Sequence, residues 1–236
     1  ANVATGNYNE KTARLYCDHS LFTANKKITE ELSKLFVAIN KKVISKNYKH
    51  LIVSPLETRS KLFNFINREI RAAKAGKVAY IILKMNSLAD EKTILKLYEA
   101  SNAGVKIDLI IRGMCSLVAG KAGFSENIRV ISIIDKFLEH ARIWIFANQG
   151  KEKMYLLSAD LMTRNLDHRV EAGFPIYDKD VQKEIRDMID LQLSDNTKAR
   201  EINHLNNNKY VKNGEPGTNR AQVDIYNYLK IKHKGS

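Results

Sequence analysis

The sequence is poor in cysteine and has no long apolar run. Its 236 residues include two cysteines, Cys17 and Cys115, too few for a disulfide framework or a metal-binding cluster. No apolar run approaches the roughly 20 residues that cross a bilayer, and no segment resembling a signal peptide opens the chain. These absences favour a globular protein in a reducing, cytoplasmic compartment.

Acidic residues are also scarce, with 26 Asp and Glu against 39 Lys and Arg, so the formal net charge is +13. This charge predicts an anionic partner, such as nucleic acid, an acidic membrane surface, a nucleotide or an inorganic phosphate chain. The basic residues form no block of five or six. A tail that binds nucleic acid unspecifically is therefore not favoured.

Short β-rich apolar runs alternate with amphipathic segments, which predicts an α/β fold with a mixed sheet flanked by helices. The predicted strands are 51–54, 78–84, 106–111, 128–133, 142–147, 153–158 and 169–176. The predicted helices are 28–39, 58–74, 91–102, 179–192 and 222–230. The polar segment 194–219 reads as a long loop before the last helix.

The chain contains an internal repeat. Residues 23–36 align with residues 176–189 at a constant offset of 153, which places Ile28, Leu32, Leu35 and Phe36 over Val181, Ile185, Met188 and Ile189. A similar polar element precedes each helix, at residues 5–14 and 158–169. We infer a duplication with a complete second half. Because the chain starts at Ala1, directly in the polar element, we expect it to be a piece of a longer protein.

His140 and Arg142 are the first candidates for function. The residues after Glu139 look like the start of a strand, in which side chains two positions apart share one face. A histidine can donate, accept or attack, and a guanidinium binds anionic oxygens through its planar fork, so the pair suits phosphate chemistry. Residues 158–165 supply further groups that could bind phosphate, namely the Ser158 hydroxyl, the Asn165 amide and the Arg164 guanidinium.

Further phosphate-binding candidates are scattered along the sequence. Arg112 follows the predicted strand 106–111, at the edge where α/β sheets bind ligands, and the glycine-containing loop 113–123 after it carries Lys121. Arg164 could bind phosphate or pair with Asp160 or Asp167. Asn9 and Asn165 are expected at equivalent places in the two repeats. Lys84 and Asn86 form another candidate anion site. No constellation surrounds the remaining histidines, which are His19, His50, His168, His204 and His233.

Three stretches together resemble the bacterial polyphosphate kinases that work through a phosphohistidine. They are residues 5–16 (TGNYNEKTARLY), residues 84–88 (KMNSL) running to 103–113 (AGVKIDLIIRG), and residues 137–142 (FLEHAR) with 158–167 (SADLMTRNLD). The similarity extends in order from the start of the chain to about residue 192.

The resemblance implies a core of two phospholipase D-like domains. Residues 1–47 would end the first domain, and residues 48–236 would form the second with a C-terminal loop and helix. The chain would lack the family's amino-terminal domains, the His-x-Lys stretch with the phosphorylated histidine, and the metal-binding arginines. Tyr16, Arg112 and His140 match ATP-binding positions, and His140 is also the second essential histidine. The wider superfamily has Lys at the position of Arg142, which disfavours a phosphodiesterase.

The expected function is reversible transfer of the ATP γ-phosphoryl group to polyphosphate, with ATP or ADP and Mg²⁺ as cofactors and the metal ligands outside this chain. The resemblance also implies homo-oligomers, no nucleic-acid partner, and a cytoplasmic location with peripheral inner-membrane association as an alternative. The chain alone should be inactive. The rival functions are a phospholipase D-type phosphodiesterase and a non-catalytic module that binds polyanions.

Overall fold

The computed structural model describes residues 1–43, 47–213, 215 and 217–234. Its strands are β1 (Asn2–Ala4), β2 (Tyr16–Cys17), β3 (Ser20–Phe22), β4 (Ile52–Ser54), β5 (Tyr80–Met85), β6 (Lys106–Ile111), β7 (Ile128–Ile133), β8 (Leu138–Glu139), β9 (Arg142–Phe146), β10 (Lys153–Leu157), β11 (Glu171–Pro175) and β12 (Ala199–Glu201). Its α-helices are α1 (Glu10–Ala13), α2 (Lys26–Asn40), α3 (Thr58–Lys74), α4 (Glu91–Asn102), α5 (Thr163–Asp167), α6 (Lys179–Leu193) and α7 (Ala221–Lys232). Within these described ranges, none of the helices is both long and apolar enough to span a bilayer.

The predicted α/β class is confirmed. Helices α3 and α4 and strands β6 and β7 have the predicted bounds, and the other predicted elements shift by one or two residues. The prediction missed short elements such as α1, β2 and β8, because two to five residues are too few to show a hydrophobic period. The prediction of a continuous loop over 194–219 was wrong, since β12 lies within it; Gly214 and Pro216 of that segment are outside the described residues.

Local signals explain where the two central helices begin and end. The Asp90 carboxylate accepts a hydrogen bond from the Thr93 backbone N–H and so caps α4. Gly76 follows α3 and Gly104 follows α4, both with positive φ values of 65° and 86°. A glycine adopts this left-handed conformation without a side-chain clash and therefore ends each helix.

An eight-stranded mixed sheet forms the centre of the fold. Its strand order is β12-β7-β6-β5-β9-β10-β11-β4. Strands β5, β6 and β7 are parallel to one another, and each of the other neighbouring pairs in this sheet is antiparallel. Two small two-stranded sheets lie beside it, β1 with β3 and β2 with β8.

Helices cover both faces of the sheet. Along β5, Ile81 and Leu83 belong to the hydrophobic cluster under α3 and α4, whereas Ile82 belongs to the cluster under α2, α6 and α7. In β9, Trp144 and Phe146 face α3 and α4, and Ile143 and Ile145 face the other layer, because successive strand side chains point to opposite faces. The strands are buried on both sides because each face has its own layer of helices.

The internal repeat is present in the structure. The first unit is β1-α1-β3-α2 and the second is β10-α5-β11-α6, and the strand registers correspond: Asn2 pairs with Phe22, and Tyr155 pairs with Pro175. Both long helices contain 15 residues, and Asn25 and Asp178 cap them. One side chain differs, because Phe36 is 68% exposed while its counterpart Ile189 is buried.

The segment after α6 is held by Asp195. This fully buried carboxylate accepts hydrogen bonds from the backbone N–H groups of Thr197, Lys198 and Ala199 at 2.7–2.9 Å and from that of Ala221 at 2.7 Å. It therefore joins β12 to the start of α7.

Replacing Asp195 with Ala should lower the free energy of unfolding by about 2–4 kcal/mol, because four backbone donors lose their acceptor. Urea unfolding followed by circular dichroism measures this change. Asp190→Ala, which removes an exposed i,i+4 ion pair with Arg186 on α6, should change stability by less than about 1 kcal/mol. Equal losses in the two variants would show that Asp195 has no special role.

Candidate functional site

Three strand ends bring the candidate residues together. Strands β5 and β6 are parallel and end at Met85 and Ile111. Asn86 and Arg112 follow them and therefore lie along the same edge of the sheet, the one formed by the carboxyl ends of these two strands. Strand β9 is antiparallel to β5 and begins at the same edge with Arg142. The predicted strand-end position of Arg112 is therefore confirmed.

Arg142 forms the centre of the site. Its guanidinium is 7% exposed and donates from Nη2 to Asp160 Oδ2 at 3.1 Å and from Nε to Oδ1 at 3.3 Å. Its Nη1 donates to the backbone carbonyls of Thr5 and His140, at 3.0 Å each. Asp160 in turn accepts the Asn86 backbone N–H at 2.8 Å. One buried ion pair thus connects the first residues of the chain with the sheet edge.

His140 contacts an acid from the first repeat. Its Nδ1 lies 2.9 Å from Asp18 Oδ1, and Asp18 also accepts a hydrogen bond from the Thr5 hydroxyl at 2.8 Å. Burial alone would raise the pKa of Asp18, but its hydrogen bonds with His140 and Thr5 and the nearby cationic charges hold the pKa below 3.8. An ionised carboxylate only accepts hydrogen bonds, so Nδ1 carries the proton, and Nε2, which lies 3.1 Å from Arg142 Nη1, is the ring nitrogen without it.

The two-stranded sheet of β2 and β8 positions this acid. Tyr16 pairs with Leu138 and Cys17 with Glu139 in parallel register, and the His140 N–H donates to the Cys17 carbonyl at 3.0 Å. The Tyr16 ring is consequently 4.6 Å from the His140 ring, tilted by 50°. Two predicted nucleotide-binding residues, 124 positions apart in the sequence, are in contact.

Arg112 is oriented by Asn86. Its Nε and Nη2 donate to Asn86 Oδ1 at 3.1 and 2.7 Å, and Nε also donates to the Glu139 carbonyl. Its Nη1 makes no hydrogen bond to the residues that the structure describes, so this donor is available to an anion. The prediction of Asn86 as an anion ligand was wrong, since its side chain is buried and bonded to Arg112 and Asp160.

The prediction of Lys84 as an anion ligand was also wrong. Lys84 is 2% exposed, and its ammonium pairs with Glu139 and donates to Gln192 Oε1 at 3.0 Å. Gln192 and Gln222 each donate to Glu139 at 2.9 Å. Burial raises the pKa of Glu139, but the Lys84 charge and the hydrogen bonds lower the pKa by more than burial raises it. Glu139 is therefore ionised. This network ties α6 and α7 to the sheet below the site.

The structure does not bring the remaining phosphate-binding candidates to His140. Asn9 caps α1, with its Oδ1 accepting from the backbone N–H groups of Lys11 and Thr12. The backbone N–H of Lys121 donates to Ser125, which precedes the amino end of β7, at the edge opposite Arg112. Asn165 is buried and donates to Glu171 at 2.8 Å. The repeat offset places Met162, not Asn165, opposite Asn9, so their expected equivalence was wrong.

Arg164 is exposed, and its side chain has no hydrogen bond or ion pair within the described ranges. The alternative of a salt bridge to Asp160 or Asp167 was wrong, because Asp160 pairs with Arg142 and Asp167 pairs with Arg59. Its role as a phosphate ligand stays a prediction.

His19 was set aside by the sequence analysis, which expected no constellation of residues around it. It follows Asp18, is half-buried, and lies within the electrostatic reach of Lys84 and Glu139. Burial and the Lys84 charge lower its pKa to about 4, so it is neutral near pH 7. Asp18 was overlooked. The repeat could have revealed it, because the offset of 153 places one acid, Asp18, over another, Glu171.

The acids of the site are already paired. Asp18 contacts His140, Asp160 contacts Arg142, and Glu139 contacts Lys84. Across residues 1–43, 47–213, 215 and 217–234, no group of three His, Cys, Asp or Glu side chains could hold a metal ion. The residues present therefore do not form a Mg²⁺ site.

Comparison with known proteins identifies two family profiles along the chain. "Polyphosphate kinase C-terminal domain 1" matches residues 1–45, and "Polyphosphate kinase C-terminal domain 2" matches residues 51–222. Polyphosphate kinases of Vibrio parahaemolyticus and Escherichia coli K12 are 47% and 45% identical over 98% of this chain. The chain spans about a third of the length of these curated relatives, 33% in each case.

A solved structure is similar over the entire chain. The crystal structure of polyphosphate kinase from Porphyromonas gingivalis superposes with a TM-score of 0.92 at 43% identity, covering 100% of this chain and 36% of that one.

His19 should make stability depend on pH. The unfolded chain takes up a proton near pH 6.5 and the folded chain only near pH 4, so the folded state loses stability as the pH falls through this window. His19→Gln should flatten the urea midpoint between pH 6.5 and 4.5, removing about 1–3 kcal/mol of pH-dependent stability. The exposed His168→Gln is the matched control. An unchanged pH profile in His19→Gln would contradict this assignment.

Proposed function

This chain belongs to the polyphosphate kinase family, and we propose that it forms the C-terminal part of the enzyme's catalytic core. The proposed reaction transfers the γ-phosphoryl group of ATP reversibly to the end of a polyphosphate chain, through a histidine upstream of Ala1. Residues 1–47 would end the first phospholipase D-like domain and residues 48–236 would form the second. The profile matches over 1–45 and 51–222 support this division.

The observation that carries the proposal is the convergence on His140. The start of β9 and the small sheet of β2 and β8 place Asp18, Tyr16 and Arg142 against this histidine. Arg112 lies nearby, because its Nε donates to the carbonyl of Glu139, the residue before His140. Phosphoryl transfer makes little covalent demand on a protein and depends on positioning and on fixed positive charge. A histidine beside two fixed guanidinium groups meets both demands.

Each side chain has a distinct proposed role. Asp18 holds the His140 Nδ1–H, so that Nε2 faces the phosphoryl group and exchanges a proton with it. Arg142 Nη1, 3.1 Å from Nε2, stabilises negative charge next to that nitrogen. Arg112 Nη1 would bind a phosphate oxygen of ATP, and Tyr16 would contact the nucleotide. Arg164, Asn165, Asn9 and Lys121 remain proposed phosphate ligands outside this contact network.

The proposed partners follow from the family. They are ATP or ADP, inorganic polyphosphate and further copies of the enzyme, in the cytoplasm or at the inner membrane, and without nucleic acid. Mg²⁺ would neutralise the phosphates of ATP, and its ligands would belong to parts of the enzyme outside this chain. Because the phosphorylated histidine would also lie upstream, the chain by itself is expected to be inactive.

Arg112→Ala in the complete enzyme should weaken Mg-ATP binding about tenfold or more, since a lost charge-assisted hydrogen bond costs about 1.5–3 kcal/mol. Isothermal titration calorimetry measures this loss. Arg71→Ala, which removes an exposed arginine of α3, should bind like the parent. Unchanged ATP binding in Arg112→Ala would contradict the proposed site.

Asp18→Asn should lower kcat by about 10²–10⁴-fold, because the amide no longer holds the required tautomer of His140. The KM for ATP should change less than threefold, since Asp18 acts through His140. Steady-state synthesis of polyphosphate measures both values, and Asp180→Asn on the exposed start of α6 is the control. A change confined to KM would exclude a positioning role for Asp18.

A further inference from the structure

A second basic region lies at the edge of the sheet opposite His140. Two adjoining pockets of about 210 and 480 Å³ share Lys49, His50, Lys153 and Tyr155 among their lining residues. We call them together the basic groove. Strand β10 separates it from the site, because Lys153 begins the strand and Leu157, the partner of Arg142, ends it. Four residue steps along a strand correspond to about 13 Å.

The charge of the basic groove is strongly unbalanced. Its lining includes six cationic side chains, which are Lys49, Lys61, Arg68, Lys151, Lys153 and Lys179, and one acid, Glu152. Glu152 already accepts hydrogen bonds from the Tyr80 hydroxyl and from Arg186. Lys61 pairs with Glu57 at 3.3 Å, whereas the other five cations of the groove have no salt bridge within the described residues.

Two of these cations lie near the same aromatic ring without an acid. Arg68 and Lys153 both lie over the Phe65 ring, each 5.8 Å from its centroid. Neither makes a salt bridge within the described part of the chain. Burial and the charge of Arg68 lower the pKa of Lys153. Like charges held at short distance repel each other, and an anion that bridges them removes this repulsion.

The floor of the basic groove is rigid. The buried Glu31 carboxylate accepts the backbone N–H groups of Lys49, His50 and Leu51 at 2.7–3.0 Å. Lys61 fixes the same segment from the other side by donating to the carbonyls of Tyr48 and Leu51. His50 is in turn bonded to the Tyr177 hydroxyl at 2.6 Å. The segment is thus positioned before any ligand arrives.

We propose that the basic groove is a second anion site, which binds a chain of adjacent phosphoryl groups between Arg68 and Lys153 and along Lys49 and Lys151. Several cations spread along a groove match a ligand that repeats its charge, whereas a single phosphate would contact only part of them. The inference needs only the charge and geometry of the groove, and it stands independently of the proposed kinase reaction.

The aromatic residues of the groove favour an inorganic chain over single-stranded nucleic acid. Proteins that bind single strands stack bases on open aromatic faces. Here Arg68 and Lys153 lie over the Phe65 ring, and Lys27 lies over the Tyr177 ring at 5.5 Å. Tyr155, the other aromatic residue shared by the two pockets, packs against Phe65 with 5.1 Å between the ring centroids. These rings therefore offer bases less open stacking surface than unoccupied rings would.

Protection of Lys153 from acetylation tests this site directly. The complete enzyme is treated with an acylating reagent at increasing concentrations of sodium tripolyphosphate, and the modification of each lysine is measured by mass spectrometry. Saturating tripolyphosphate should slow acetylation of Lys153 at least tenfold and that of the exposed Lys92 on α4 less than twofold. Equal protection of both lysines would overturn the proposal.

A pair of matched variants separates the groove from net charge. Arg68→Ala should raise the half-protecting concentration at least fivefold, whereas Arg71→Ala, three residues along α3 and exposed, should leave it unchanged. Equal shifts of the half-protecting concentration in the two variants would mean that only the overall charge of the protein matters, and would refute a defined site.

Three other ligands identify the source of the phosphoryl groups. Monophosphate at equal ionic strength, ATP and a single-stranded RNA oligonucleotide should each protect Lys153 at least tenfold less effectively than tripolyphosphate. Equal or better protection by any of them would overturn a site for an inorganic phosphoryl chain. The protection of Lys153 does not depend on Arg112. A failure of the proposed groove site can therefore be distinguished from a failure of the proposed ATP site.

Discussion

The ion pair between Arg142 and Asp160 is the interaction on which the site depends. Both side chains are buried, with 7% exposed in each residue, so removal of one partner would leave an uncompensated charge and cost about 3–5 kcal/mol. The remaining donors and acceptors of the pair hold the carbonyls of Thr5 and His140 and the backbone of Asn86. Asn86 then orients Arg112. A single buried contact therefore sets the positions of His140, Arg112 and the first residues of the chain.

The duplication explains why the two ends of the chain meet at one site. Each unit pairs two strands in the same register, and each places a hydroxyl beside an acid: Thr5 donates to Asp18, and Ser158 donates to Glu171. His140 precedes the second unit in the sequence, yet its acid comes from the first. The site is thus built across the two units, and the parallel pairing of β2 with β8 fixes their contact there.

Sequence reasoning predicted a placement correctly where local geometry decides it. Arg112 lies at the carboxyl end of β6 because it follows an apolar strand. His140 and Arg142 are in contact, but the prediction that they share a strand was wrong, since β9 begins at Arg142 and His140 lies between β8 and β9. Sequence reasoning also failed where the partner is distant in sequence. Lys84 was taken for an anion ligand, but Glu139 and Gln192 neutralise and bury it. Local structure explains why Asn9 and Lys121 lie away from His140: the Asn9 side chain caps α1, and the Lys121 backbone belongs to the loop before β7. Their role as phosphate ligands stays a prediction.

By itself the sequence determined the α/β class, the bounds of the main strands and helices, the internal repeat and the family, because these depend on periodicity, caps and motifs that are local to each segment. Tertiary structure alone decided that Asp18 contacts His140, that Lys84 is internal, and that Arg68 and Lys153 share one ring without an acid. These contacts join residues 55 to 122 positions apart. A charged side chain is available to a ligand only if the fold brings no opposite charge to it. Which charges are paired inside the protein is set by strand order and register.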